Sequence, residues 1–132
     1  MVEWFIDEKY VDQAEKVIKS LEGYRKGGIR LTTSQIRNLL SLTSALYDRA
    51  KVLSSEELAP DIRQDLEYLR IQFVYQVGRD NDSRRPTGVK DFVEKAEILE
   101  VLKMVNSKAT LIRFTRYMES LVAYHKFNGG KD

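Results

Sequence analysis

The chain contains no cysteine, and this absence excludes disulfide bonds and thiolate metal sites. No run of apolar residues approaches the ~20 residues that a membrane-spanning helix requires. The first seven residues, MVEWFID, lack the basic region with which a secretory signal peptide begins. We therefore expect a cytoplasmic protein without a membrane partner.

Catalytic and cofactor-binding motifs are also missing. The sequence has no HExxH motif, EF-hand loop, Walker A motif or dinucleotide-binding fingerprint. Its single histidine, His125, is expected in the core, and no neighbour in sequence could orient it as a general base. Four acidic residues follow helical spacing but lack the Glu-x-x-His pair of a di-iron site, which favours a solvated helix face: Asp91, Glu94, Glu97 and Glu100. We expect neither an enzyme, nor a metal, nor another cofactor.

Proline and glycine are scarce, with two and seven residues respectively, and nearly all of them mark boundaries between predicted helices. The sequence shows none of the alternation between tight turns that indicates strands. Its 132 residues and 42% hydrophobic content fit one domain with one core. These features predict an all-α, single-domain bundle of about five helices over residues 1–132, with an N-terminal extension (1–6), an exposed loop (79–88) and a tail (128–132).

Apolar spacing and capping signals place these helices along the chain. We expect one over residues 7–21, a second after a capping box formed by Thr32 and Gln35, and a third over 61–77 that follows Pro60. Gly78 is predicted to end the third helix in a left-handed conformation. A basic loop at 23–28 joins the first two helices, a fourth helix covers 89–105, and the last helix ends at 127.

Two of the predicted helices have apolar patterns that suggest how they pack. The first should bury the residues that recur at helical spacing, which are Val11, Ala14, Val17, Ile18 and Leu21. The third has one apolar line and, roughly opposite, a second group: Ile62, Leu66, Leu69, Phe73 and Val77 against Tyr68, Ile71 and Tyr75. A helix that is apolar on two sides is expected at the centre of the fold.

The last helix has two faces of different chemistry. One is a core stripe made of Leu111, Phe114, Met118, Leu121, Val122 and His125. The other arc combines basic and aromatic residues, namely Arg113, Arg116, Tyr117, Tyr124 and Phe127. Guanidinium groups pair with phosphate oxygens and aromatic rings stack on bases, so this arc is a candidate nucleic-acid surface, although tyrosines beside a helix also complete ordinary packing.

The distribution of charge supports the same interpretation, although the net charge is only +2. Residues 1–22 carry six acids and three lysines, whereas residues 23–50 carry five bases and one acid. Residues 107–132 carry five bases and two acids. The two basic segments could attract phosphate, and the acidic start could repel it or bind a basic partner.

Four sequence blocks, in this order along the chain, resemble a known protein family. They are LTTSQIRNLL at 31–40, LRIQFVYQVGR at 69–79, VKDFVEKAEIL at 89–99 and RYMESLVAYHKFNGG at 116–130. Together they are similar to the small subunit of the type III-A CRISPR effector, the Csm complex. The likeness extends from about residue 7 to the end of the chain, and the ordered set is far more specific than any one block.

The resemblance implies a helical subunit that stacks head to tail in several copies beside the backbone subunits of the complex. Such subunits help to line the channel in which guide RNA pairs with target RNA. They contact the RNA backbone without reading its sequence and carry no catalytic residues. The implied partners are therefore guide RNA, target RNA, the backbone and large subunits, and further copies of the same chain.

A surface that binds RNA regardless of sequence needs fixed positive charge and few groups that read base edges. The predicted helices supply such charge at eight candidate RNA-binding positions: Arg37, Arg49, Lys51, Arg70, Arg79, Arg113, Arg116 and Lys126. Each could instead form a surface ion pair, which is a common role for a basic residue.

Two other classes of function remain possible. The chain could be a helical adaptor that binds only protein, with the acidic first helix and residues 4–6 (Trp-Phe-Ile) as its docking segment. A DNA-binding helix-turn-helix regulator is less consistent with the sequence, because the turn before the third helix is long and acidic rather than short and glycine-containing.

Overall fold

The computed structural model describes residues 2–22, 32–79 and 88–128, and within these ranges it contains helices and no strand. This confirms the all-α class. The helices in these ranges number seven rather than about five: α1 (Glu3–Ile6), α2 (Tyr10–Glu22), α3 (Thr33–Ala50), α4 (Pro60–Arg79), α5 (Gly88–Lys95), α6 (Ile98–Leu102) and α7 (Lys108–Phe127). The predicted basic loop 23–28, most of the loop 79–88 and all but the first residue of the tail lie outside the described residues.

A left-handed residue separates α1 from α2. The helix predicted over residues 7–21 therefore begins at Tyr10, and part of the predicted N-terminal extension (1–6) forms α1. Glu8 has a φ of 59°. Its backbone N–H donates to the carbonyl oxygen of Phe5 at 3.3 Å, and that of Lys9 donates to Trp4 at 2.8 Å. These two bonds form a Schellman motif, which ends a helix at a left-handed residue. The motif closes α1 as a separate short helix, and its Phe5 side chain is buried in the core.

The predicted fourth helix is divided into α5 and α6. Glu97, with a φ of 56°, lies at the division and is the N-cap of α6. Glycine is the usual residue in this conformation, so the sequence shows no sign of the break. Gly78 is the residue predicted to be left-handed, but it lies inside α4 with φ outside that region, and this prediction is wrong.

The predicted start signals of the helices are present in the structure. The hydroxyl oxygen of Thr32 accepts a hydrogen bond from the backbone N–H of Gln35 at 3.1 Å, and the Gln35 side chain accepts one from the N–H of Thr32 at 2.9 Å. Helix α4 begins at Pro60. A second capping box, formed by Ser107 and Thr110, starts α7. Local sequence therefore determines where these helices begin.

Helix α7 lies at the centre of the fold, where it packs against both α2 and α3. Its predicted core stripe is confirmed, because the fully buried side chains include Leu111, Phe114, Met118, Leu121 and His125. Buried apolar side chains from all seven helices join it in one hydrophobic cluster.

None of the helices in the described ranges is long and apolar enough to cross a membrane.

Two predictions about packing are wrong. Helix α4 is not central, because it buries only one side, while its second apolar group is 59–64% exposed: Tyr68, Ile71 and Tyr75. Val11, predicted to point inward, is 45% exposed in the first turn of α2, whereas the other four residues predicted for that face are buried.

Replacing Phe73 by alanine should lower the free energy of unfolding by about 3–5 kcal/mol, the usual result of truncating a buried phenylalanine. The Phe73 side chain is fully buried on α4 and meets Phe114 edge to face, with 6.5 Å between ring centres. Val74→Ala is the matched control, because Val74 is 53% exposed on the same helix and should change stability by only about 0.5 kcal/mol. Equal losses in chemical denaturation would contradict the assigned core.

Candidate nucleic-acid interface

Two cations from different helices meet at one tyrosine on the surface. The guanidinium carbon of Arg116 lies 5.5 Å from the ring centre of Tyr47, and the ammonium nitrogen of Lys51 lies 5.6 Å from it. Arg116 also donates a hydrogen bond to the Tyr47 hydroxyl oxygen at 3.2 Å. Tyr47 is not among the site residues predicted from the sequence. The spacing of four residues to Lys51 is the signal that could have found it.

Each of these cations has an acidic partner on its own helix. Arg116 donates to the Glu119 carboxylate at 2.9 Å, and Lys51 lies 3.3 Å from Asp48. The hydrogen bond to Glu119, followed by the charge of Tyr47, raises the pKa of the Arg116 guanidinium, which therefore keeps its charge. Exposed pairs of this kind contribute little stability. A phosphate group could therefore replace either carboxylate.

Two further predicted cations are exposed farther along the same two helices. The helices run antiparallel, because Tyr47 meets Arg116 while Lys108, at the start of α7, donates to the carbonyl oxygen of Leu53, just after α3. Arg37 precedes Tyr47 by ten residues on α3, and Lys126 follows Arg116 by ten residues on α7. Because the helices are antiparallel, both cations lie toward the same end, about 15 Å along the helices at ~1.5 Å per residue. We call Arg37, Tyr47, Lys51, Arg116 and Lys126 the α3–α7 face.

Arg49 joins α3 to α4 instead. Its guanidinium donates to the carboxylates of Asp65 and Asp61, the latter at 2.7 Å. The hydrogen bond to Asp65, only partly opposed by desolvation, raises the pKa of Arg49. Two carboxylates near the start of α4 therefore share its charge.

Arg70 and Arg79 belong to α4 rather than to α3 or α7. Arg70 pairs with Glu67 at 2.8 Å on α4 and borders a groove that also contains Leu99 and Lys103. Arg79 is exposed at the end of α4, beside a depression lined by residues of α3 such as Gln35. The predicted site residues are thus distributed over several surfaces.

Arg113 holds α1 in place. It donates to the carbonyl oxygen of Phe5 at 3.0 Å, lies 5.4 Å from the centre of the Phe5 ring, and pairs with Glu8 at 3.6 Å. Its side chain is only 19% exposed. These contacts engage both terminal nitrogens of its guanidinium within the chain.

Tyr117 is buried, so its predicted place on the outer arc is wrong. Its hydroxyl donates to the carbonyl oxygen of Ala96 at 2.8 Å, and its ring lies 4.6 Å from that of Trp4. Burial, and then the charge of Glu97, raises the pKa of this hydroxyl. Of the other rings on the arc, Tyr124 is partly buried and Phe127 is 80% exposed.

Helix α4 presents a surface of different chemistry. Four neighbouring apolar side chains on it are each more than half exposed: Tyr68, Ile71, Val74 and Tyr75. An apolar patch of this kind is typical of a protein contact rather than of a phosphate-binding surface. No three histidine or carboxylate side chains within residues 2–22, 32–79 and 88–128 are arranged to hold a metal ion.

Arg113→Ala should destabilise the fold by about 1.5–3 kcal/mol, because it removes a charged donor from a partly buried carbonyl. It should also shift the emission of Trp4, the single tryptophan, to longer wavelength as α1 loosens. Arg116→Ala removes the same charge from an exposed site and should change stability by at most about 1 kcal/mol. Identical unfolding curves and emission maxima for the two variants would contradict the structural role of Arg113.

The free energy of unfolding should fall as pH rises above about 10, the usual pKa of tyrosine. The unfolded chain releases the Tyr117 proton there, whereas the folded chain retains it because burial raises the pKa. The contribution reaches about 1.4 kcal/mol per pH unit. Denaturant titrations of Tyr117→Phe should show a shallower alkaline loss, whereas Tyr75→Phe, which leaves Tyr117 in place, should not. An unchanged slope in Tyr117→Phe would refute this.

Comparison with known proteins places the chain in a family. The Csm2 Type III-A family model matches residues 7–131. A CRISPR system Cms protein Csm2 from Streptococcus thermophilus is 56% identical over 126 residues, which cover 96% of each chain. A protein of the same description from Mycobacterium tuberculosis is 44% identical over 128 residues, covering 96% of this chain and 97% of its own. One from Enterococcus italicus is 36% identical over 100 residues, or 74% and 67% of the two chains.

These matches agree with the resemblance carried by the four ordered sequence blocks, and the first two relatives align over nearly their full length. The chain therefore belongs to the Csm2 family of type III-A CRISPR systems.

Proposed function

We propose that this chain is the non-catalytic small subunit of a cytoplasmic type III-A CRISPR effector complex. In this role it binds the backbone of the paired guide and target RNA without reading sequence, and its copies stack beside the backbone subunits. Membership of the Csm2 family supports the place in the complex. The RNA contact is argued from the α3–α7 face.

The arrangement of cations on the α3–α7 face is the observation that carries the RNA-binding proposal. Four of the eight predicted basic residues lie along two antiparallel helices, about 21 Å apart from Arg37 to Lys51 and about 15 Å apart from Arg116 to Lys126 at ~1.5 Å per residue. At ~3.4 Å per nucleotide, these lengths correspond to about four to six nucleotides of one strand. The Tyr47 ring contacts Arg116 and Lys51 rather than lying free for base stacking. Such a surface suits phosphates, which carry no sequence information.

The apolar face of α4 supports contacts with other proteins. In the proposed complex this face would meet a backbone or large subunit, since exposed patches of large apolar side chains mark protein interfaces. It also keeps the protein-only adaptor as a second candidate. The docking segment predicted for that adaptor, residues 4–6, is less suitable, because Phe5 is buried and Trp4 packs on Tyr117.

Arg37→Ala combined with Arg116→Ala should weaken binding of single-stranded or guide-paired RNA by roughly tenfold, through the loss of two charge-assisted contacts. The effect should be equal for unrelated sequences. On single strands the slope of log affinity against log salt should fall by about 0.7 for each lost phosphate contact. Filter binding or fluorescence anisotropy at several salt concentrations measures both quantities.

Arg70→Ala combined with Arg79→Ala is the matched control, because it removes the same charge from outside the α3–α7 face. It should weaken RNA binding less than the first pair. A larger effect from the control pair would place the RNA elsewhere on the molecule. Wild-type protein that assembles with other subunits but shows no salt-sensitive RNA binding would favour the protein-only adaptor.

A further inference from the structure

An apolar groove of about 480 Å³ lies between α1 and α6. Val2, Ile6 and Met104 line it, together with one lysine and three glutamates, Glu3, Glu97 and Glu100. Its volume falls within the ~300–1,000 Å³ of clefts that accept small ligands. The apolar lining favours an apolar group as the occupant. Because three glutamates outnumber the one lysine, a positive charge next to that apolar group is also favoured.

The end of α7 has the complementary chemistry. Phe127 is 80% exposed, more than any other large apolar side chain among the described residues, and it directly follows Lys126. Tyr124 supports the ring edge to face, with 6.4 Å between ring centres. The Asn128 side chain donates to the carbonyl oxygen of Tyr124 at 2.9 Å and closes the helix. The ring is therefore a positioned projection beside a cation.

Phe127 cannot reach the groove of its own chain. The groove includes Glu97, and the preceding residue, Ala96, is hydrogen-bonded to Tyr117 on α7. Phe127 lies ten residues farther along the same helix, which is about 15 Å at ~1.5 Å per residue. A continuous helix holds the two features apart, so only another molecule can bring them together.

We infer that Phe127 and Lys126 of one copy occupy the α1–α6 groove of a second copy of this chain. The phenylalanine ring removes the apolar lining from water, and the ammonium group lies near the glutamates of the rim. The occupant is thus specified by chemistry that the chain itself carries.

The contact is heterologous, because each copy contributes the end of α7 at one interface and its groove at the next. A heterologous contact that does not close into a ring generates an open row. This inference rests on the proposed stacking of copies and assigns surfaces to it. The row would be directed along α7.

The absence of native cysteine allows a direct test by cross-linking. Ala123→Cys places a thiol on the exposed side of α7, one turn before Phe127, and Lys103→Cys places one at the groove. The two full-length variants are mixed and treated with a short bismaleimide, and mass spectrometry measures the mixed dimer. Adding Phe127→Ala to the first variant, or Ile6→Asp to the second, should reduce its yield about ten- to a hundredfold.

Val52→Cys mixed with Lys103→Cys is the control, because Val52 is also highly exposed, at 76%, and lies outside the groove. Equal yields from both mixtures, or a yield that Phe127→Ala leaves unchanged, would overturn the inference. Circular dichroism checks that each variant is folded. Ile6→Asp should lose the cross-link and retain RNA binding. Failure of the mixture of Ala123→Cys and Lys103→Cys to cross-link counts against this interface, whereas absence of RNA binding by the wild type counts against the proposed function.

Discussion

Burial of one face of α7 is the constraint on which the other contacts depend. The helix packs against α2 and α3, and polar groups along it hold three other segments in place. Arg113 holds α1 through a backbone carbonyl, Tyr117 holds the residue after α5 in the same way, and Lys108 reaches the segment after α3. Each of these donors reaches its carbonyl acceptor only because packing fixes the position of α7 relative to the neighbouring helices.

The outer side of the same helix contributes to two surfaces with different chemistry. Its middle provides Arg116 to the cationic α3–α7 face, and its end provides the exposed ring of Phe127. The apolar side chains of α4 form a third surface on another helix. A small chain thus separates groups that suit phosphate from groups that suit protein, because each helix buries only one side.

The sequence predicted helix types and starts better than helix breaks, for a physical reason. The capping box at Thr32 is a local interaction and is visible in local sequence. The breaks at Glu8 and Glu97 require left-handed residues, which cost about 1–2 kcal/mol outside glycine and are stabilised by contacts with distant residues. Of the candidate site, Arg116 could be predicted from its outer position, but Tyr117 could not, because a helical projection does not show which side a neighbouring helix covers.

The central position of α7 also has a consequence for the order in which the fold forms. During synthesis α7 follows the six helices described before it, including both of the helices against which it packs. Until it emerges from the ribosome, the apolar sides of α2 and α3 lack their main partner. Completion of the core must therefore wait for α7, and apolar surface on α2 and α3 stays exposed during that interval.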